Sequence, residues 1–178
     1  MAANRLKGLL VTLLSALVLF CVSGCKPFRY GQGPFLRLDK VHDAGTTCLA
    51  FDGIGRRLAS AGYRGEVIVW AIPSGKRLTT LKAHRKPVRG LCWIDNALLL
   101  SGAEDGRILL WDVAGEQPRG FTNTPAPVTS LIFLPRERLV VSGHTDGWIR
   151  SFTLSRLRPA AEFPVGAPVL SLAVDAQG

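Results

Sequence analysis

"SGAEDGRILLWD", Ser101 to Asp112, holds a serine, three acids and a tryptophan, with His84 shortly before it. These residue types suit either a hydrolytic Ser/His/Asp site or a set of hydrogen bonds that fixes strands together. Recurrence separates the two, because a catalytic site has no reason to repeat at a fixed interval. Counting back from Trp111, "SAGYRGEVIVW" ends at Trp70, and counting forward, "SGHTDGWIRSF" ends at Phe152, so three copies lie 41 residues apart. Each has a serine ten places before its aromatic end (Ser60, Ser101, Ser142) and a glycine five places before it (Gly65, Gly106, Gly147), where a turn is expected.

The period extends upstream into "TTCLAF", "VRGLCW" and "VTSLIF", in which Leu49, Leu91 and Leu131 each stand two residues before Phe51, Trp93 or Phe133. A further copy begins in "VLSLAV". Short apolar or alternating runs separated by Gly, Asp, Asn and Pro clusters predict strands joined by turns, and no helical period of useful length interrupts them. The expected strands fall near 46–51, 57–61, 66–70 and 77–81, then 88–93, 97–101, 107–111 and 117–121, then 128–133, 138–142, 148–152 and 159–163. Phe35–Lys40 reads as an outer strand before the first set, and 169–174 as the first strand of a fourth.

From about Phe35 to Gly178 the chain resembles the WD-repeat family, whose repeat of roughly 40–45 residues forms one four-stranded blade of a β-propeller. The resemblance implies an all-β fold with repeats at about 42–82, 83–121 and 122–163 and the start of another at 164–178. It also implies a hydrogen-bonded chain inside each blade, made of a histidine before the first strand, a serine on the second, an aspartate in the next turn and a tryptophan on the third. By position these are His84, Ser101, Asp105 and Trp111. The first repeat keeps His42, Ser60 and Trp70 but has Arg64 for the aspartate; the third keeps Ser142 and Asp146 but has Thr124 and Phe152. The Trp-Asp dipeptide occurs once, as Trp111-Asp112.

A buried indole N–H, hydroxyl and imidazole cost about 1–3 kcal/mol each if left without partners, and a Trp–Ser–His–Asp relay satisfies them all. The structural reading is therefore preferred for the opening stretch. No G-x-S-x-G turn, P-loop, dinucleotide fingerprint or metal-ligand spacing is present, so the chain is read as a non-enzyme with no cofactor and no metal. His144 has no place in the repeat and is expected in a solvated turn. Cys48 and Cys92 fall at different places in successive first strands and are expected as buried free thiols.

The N-terminus is of a different kind. Arg5 and Lys7 precede an uncharged apolar stretch from Gly8 to Val22, too short for a membrane span and suited to a secretory signal. It ends in "VSGC", which resembles the bacterial lipobox. That resemblance implies a signal over 1–24, a lipid on Cys25 and a tether over 25–34, hence an extracytoplasmic domain held on a bacterial envelope membrane; the alternatives are an ordinary signal peptide or an uncleaved anchor. Without Arg5 and Lys7 the mature chain has 20 basic residues against 13 acidic, a net of +7. No interleaved basic-aromatic groove accompanies this charge, so nucleic acid is not expected.

The chain stops inside a blade, whereas propellers have four to eight. A bare blade face of four strands covers roughly 320 Å². Two such faces forgo burial comparable to a domain's whole stability at about 25 cal/mol per Å². The expectations are a fragment of a longer propeller, self-association through open blade edges, or an arc capped by a partner. The functional expectation is an envelope lipoprotein that scaffolds unidentified proteins; the alternatives are an envelope propeller enzyme, such as a quinone-dependent dehydrogenase or a hydrolase, and an outer-membrane assembly lipoprotein. The tether "KPFRYGQGP" spans at most ~30 Å, so Arg56, Arg57, Arg136 and Arg138, in loops on its side, are expected to face anionic lipid. The opposite face, around Arg85, Lys86 and His144, is then the one presented to partners.

Overall fold

The computed structural model describes Leu38 and residues 41–174. The signal at 1–24, Cys25, the tether and the expected outer strand Phe35–Lys40, apart from Leu38, lie outside the described residues. Twelve strands are described: β1 (Thr46–Phe51), β2 (Arg57–Gly62), β3 (Glu66–Ala71), β4 (Lys76–Lys82), β5 (Val88–Trp93), β6 (Leu98–Ala103), β7 (Arg107–Asp112), β8 (Gln117–Asn123), β9 (Val128–Leu134), β10 (Leu139–His144), β11 (Trp148–Thr153) and β12 (Arg158–Pro164). They form three antiparallel meanders, β1-β2-β3-β4, β5-β6-β7-β8 and β9-β10-β11-β12. These are the three complete blades expected, with every strand within two residues of its predicted bounds.

The two middle strands of the first and second blades, β2, β3, β6 and β7, are buried throughout between their ends, and in the second blade a neighbouring blade covers each face. This explains why "ILLW" reads as a continuous apolar run. On β12 every residue is exposed. Ala59, Ala61, Val67, Val69 and Leu81 of the first blade pack on Leu99, Leu109 and Trp111 of the second, with Leu91 and Trp93 at the margin. Leu100, Ile108 and Leu110 then repeat the arrangement against Leu131, Val140 and Phe152 of the third. The Trp93 indole N–H crosses the first junction to the carbonyl oxygen of Ala50 at 3.0 Å. Among the described residues no blade covers the two outer faces, and Phe51 and Phe163 remain 53% and 58% exposed there. Leu38 and Val41 shelter part of the first blade's outer face, over Leu58, Ile68 and Trp70.

The expected strand at 169–174 is not a strand. Val169 is buried and its N–H reaches the carbonyl oxygen of His144 at 3.0 Å, while the Thr129 hydroxyl donates to the Val169 carbonyl and the Leu172 N–H donates to Ser130 Oγ at 3.0 Å. The segment thus follows β9 by side-chain bonds, in the place where β5 lies against β1 and β9 against β5. A ladder needs a second strand, and the described residues supply none on its free side.

The turn glycines explain part of the 41-residue punctuation. Gly65 has φ +82°, and a Cβ there would lie 2.5 Å from the carbonyl oxygen of His84, so both conformation and space demand glycine. Gly55 has φ +69° with open space around it. Gly65→Ala is therefore expected to destabilise by about 2–4 kcal/mol and Gly55→Ala by about 1 kcal/mol, read from urea unfolding; equal losses would contradict the account of the close approach.

Candidate functional site

The chemistry-bearing residues of the repeat converge inside the blades. In the second blade β7 brings the Trp111 indole to Ser101 Oγ on β6 at 2.8 Å, and Ser101 Oγ lies 2.7 Å from His84 Nε2. His84 Nδ1 lies 3.1 and 3.2 Å from the two Asp105 oxygens. The polarity follows from the indole, which only donates: the serine hydroxyl accepts from Trp111 and donates to Nε2, leaving Nδ1–H to donate to the carboxylate. Burial opposes ionisation of Asp105, but hydrogen bonds from His84 and from the Arg85 and Arg107 amides outweigh it and hold the carboxyl below its ordinary range. All four expected residues are brought together.

Ser101 has no exposed surface, and its oxygen is already shared between Trp111 and His84. A nucleophile must reach a substrate and face an oxyanion site, so this trio joins strand, strand and loop instead.

The first blade repeats the relay with a different acid. Trp70 Nε1 donates to Ser60 Oγ at 2.9 Å, Ser60 Oγ lies 3.0 Å from His42 Nε2, and His42 Nδ1 meets Glu66 Oε1 at 2.5 Å. Arg64, in the place of the aspartate, pairs at the surface with Asp43 at 3.1 Å. The sequence reading missed Glu66, although a signal existed: residues 66, 68 and 70 share one face of β3, so an acid four places before the tryptophan points at the same histidine.

The third blade departs further, and His144 is not a solvated turn residue. It is fully buried, with Nε2 2.8 Å from Ser142 Oγ and Nδ1 3.1 Å from the carbonyl oxygen of Ala126. Standing two residues after Ser142 on β10, it reaches the serine from the same strand. The loop histidine is replaced by Thr124, whose hydroxyl lies within bonding distance of the Ala126 carbonyl oxygen in its own loop and the Gly106 carbonyl oxygen in the β6–β7 turn. Being buried, His144 cannot belong to a partner-facing surface. Asp146 joins no histidine; it takes two bonds from the Arg150 guanidinium, at 3.1 and 2.7 Å. Arg150 is 5% exposed and occupies the place held by Ile68 and Leu109 in the other blades. The arginine needs that carboxylate because an unpaired buried cation is costly.

Of the four basic residues expected toward lipid, Arg56, Arg136 and Arg138 lie in turns between strands and Arg57 opens β2, where it is committed elsewhere. Its Nε lies 3.0 Å from Oδ2 of the buried Asp52, its Nη2 2.5 Å from the Asn96 carbonyl oxygen, and its guanidinium 4.5 Å from the Trp93 ring centroid. Burial pushes Asp52 up, yet bonds from the Arg57 side chain and the Arg56 and Arg57 amides leave its carboxyl below the ordinary range. Arg56, Arg136 and Arg138 remain exposed. Cys48 and Cys92 are free and half-buried, and burial pushes their thiols up to about 12 and about 11, so neither is a ready nucleophile. Among the described residues no group of three or more His, Cys, Asp or Glu side chains could hold a metal.

Two outcomes follow. His84→Ala is expected to lower stability by about 1–3 kcal/mol while leaving the fold intact, as seen by circular dichroism and urea unfolding; an unchanged midpoint would contradict the relay. Burial holds the pKa of His144 below the ordinary 6.5, with a backbone bond to Ala126 opposing and the Arg150 and Asp146 charges beside it. The unfolded chain therefore takes up the proton first. Stability from this group is full above about pH 6.5 and falls as pH drops through the lower folded value. His144→Gln should lose less stability than the parent between about pH 7 and 5.5, and equal losses would contradict the assignment.

Comparison with known proteins agrees with this geometry. The family described as WD domain, G-beta repeat matches residues 34–71, 75–112 and 115–152, more than half of the chain. The pre-rRNA-processing protein IPI3 of Mycosarcoma maydis is 32% identical over 131 residues, 73% of this chain and 21% of the relative. The p21-activated protein kinase-interacting protein 1-like of Xenopus laevis is 29% identical over 77% of this chain and 38% of its own length. A chain in the crystal structure of the mitotic checkpoint complex is similar with a TM-score of 0.71 and 26% identity, over 77% of this chain and 45% of that one. The chain thus spans less than half the length of the relatives it matches. With three matched repeats, three four-stranded blades and the Trp–Ser–His relay in two of them, the chain belongs to the WD-repeat family.

Proposed function

We propose that this chain is a protein-interaction scaffold, held at a membrane by a lipid on Cys25, that works through its blade surfaces and has no catalytic centre. The observation that carries the reading is the internal use of the motif: Ser60, Ser101 and Ser142 are buried, and each histidine is bonded within its own blade or to the adjoining loop. What is left to act is the exposed surface of loops and outer strands, where function on such folds resides. The relative named for interaction with a kinase and the neighbour solved within a multi-protein complex are in keeping with this. The tether rests on "VSGC" after the apolar run from Gly8 to Val22. Three exposed cations, Arg56, Arg136 and Arg138, favour an anionic surface beside one face, each adding about 1 kcal/mol or less.

Photo-cross-linking of the chain in bacterial cells tests the scaffold. Discrete protein adducts are expected from probes on exposed loop residues and not from probes on buried ones; no protein adduct from any surface position would contradict the reading. Cys25→Ser should move the protein from the membrane fraction to the soluble one or leave an unprocessed precursor. A variant that stays anchored and is cleaved at the same site would remove the lipid from the account.

A further inference from the structure

The two blade junctions differ at the rim. Between the first and second blades Thr79 on β4 donates to Glu116 Oε1 at 2.7 Å and closes the space between an outer strand and the next blade's turn. One repeat later, the same places hold Gly120 on β8 and Leu157 in the β11–β12 turn. The turn geometry is conserved, with φ 56° at Glu116 and 48° at Leu157, but the bridge is gone. A Cβ built on Gly120 would meet nothing within 4 Å. What remains is a groove of about 460 Å³ with Leu110, Leu154 and Leu157 in its floor, Phe121 on its wall, and Arg119 and Arg156 beside them.

The three leucines are nearly inaccessible, whereas Phe121 is 57% exposed. Arg107 lies over the Phe121 ring at 5.1 Å on the other face of the sheet, where its guanidinium also donates to the Ala83 carbonyl oxygen at 3.1 Å. The only acid paired with the two lining arginines among the described residues is Asp112, 3.9 Å from Arg119, whose side chain is 60% exposed. β8 is the last strand of its sheet, so its outer edge has no strand partner among the described residues and can accept an extended segment.

We infer that this inter-blade groove docks an extended acidic protein segment, one large apolar side chain entering above Gly120 and flanking carboxylates pairing with Arg119 and Arg156. The inference rests on the scaffold reading and gives it a site and a partner chemistry. The volume suits one or two large side chains, and guanidinium groups at an apolar rim select carboxylates over cations.

The test is fluorescence anisotropy on the full chain in mild detergent with a labelled Glu-Glu-Phe-Leu-Glu-Glu peptide, beside Glu-Glu-Ser-Ser-Glu-Glu and Lys-Lys-Phe-Leu-Lys-Lys. The first peptide should bind at least roughly tenfold more tightly than either other. Gly120→Thr, which places at this junction the side chain that Thr79 supplies at the other, should weaken it by roughly tenfold, as should Arg119→Glu with Arg156→Glu. The double reversal Arg85→Glu with Lys86→Glu, equal in charge but on the opposite face, should leave it within about twofold. Circular dichroism checks that each variant is folded. Equal binding of the serine peptide, binding unchanged in Gly120→Thr, or capture of phosphatidylglycerol vesicles through this groove in place of the peptide would overturn the inference. If the peptide fails while the surface cross-links to proteins persist, the groove falls and the scaffold stands; absent cross-links remove the scaffold itself.

Discussion

The hydrogen bond from a buried indole to a buried serine hydroxyl is the constraint from which the blade is built. An indole N–H that leaves water must find an acceptor, and the serine ten residues earlier on the neighbouring strand supplies it, at 2.9 Å in the first blade and 2.8 Å in the second. The hydroxyl proton then needs an acceptor of its own, which draws the histidine of the preceding loop inward, and the second ring nitrogen draws an acid. One buried donor thus fixes two strands, a loop and a turn. Where the third blade replaces tryptophan by Phe152 the demand for an acceptor disappears, and the remaining serine–histidine bond is made with a residue from the same strand.

Much of this was legible because the repeat supplies three readings of each position. Strand bounds and the free thiols followed from spacing and residue type, and the second-blade relay from the resemblance to the WD-repeat family. The misreadings have one physical origin, which is that a required partner can come from a different backbone position. Glu66 serves the first histidine from the strand face, and His144 reaches Ser142 from two residues away, so aligning residues by repeat position alone overlooks both. Arg57 was legible as a loop cation but not as the partner of a buried Asp52, because its contacts to Asn96 and Trp93 belong to the next blade. The segment at 169–174 had a strand's pattern, yet pattern makes a strand only where a neighbour completes the ladder.

The groove at the second junction was invisible for a similar reason. Gly120 and Leu157 are unremarkable as single residues and become informative only beside Thr79 and Glu116 of the preceding repeat, once the fold shows that those two touch. Repetition fixes the interior and leaves the rims free to differ. Surface differences between otherwise equivalent junctions are therefore where this fold can distinguish one partner from another.

The central claim is that the tryptophan–serine–histidine relay is a closed interior lock and not a reactive site. Hydrogen exchange at the Trp111 indole N–H, followed by nuclear magnetic resonance, addresses it most directly. Exchange as slow as that of the best-protected amides of β6 and β7, opening only with global unfolding, is the predicted result. Exchange at the rate of exposed turn amides would show that water enters between Trp111 and Ser101, and would contradict the account.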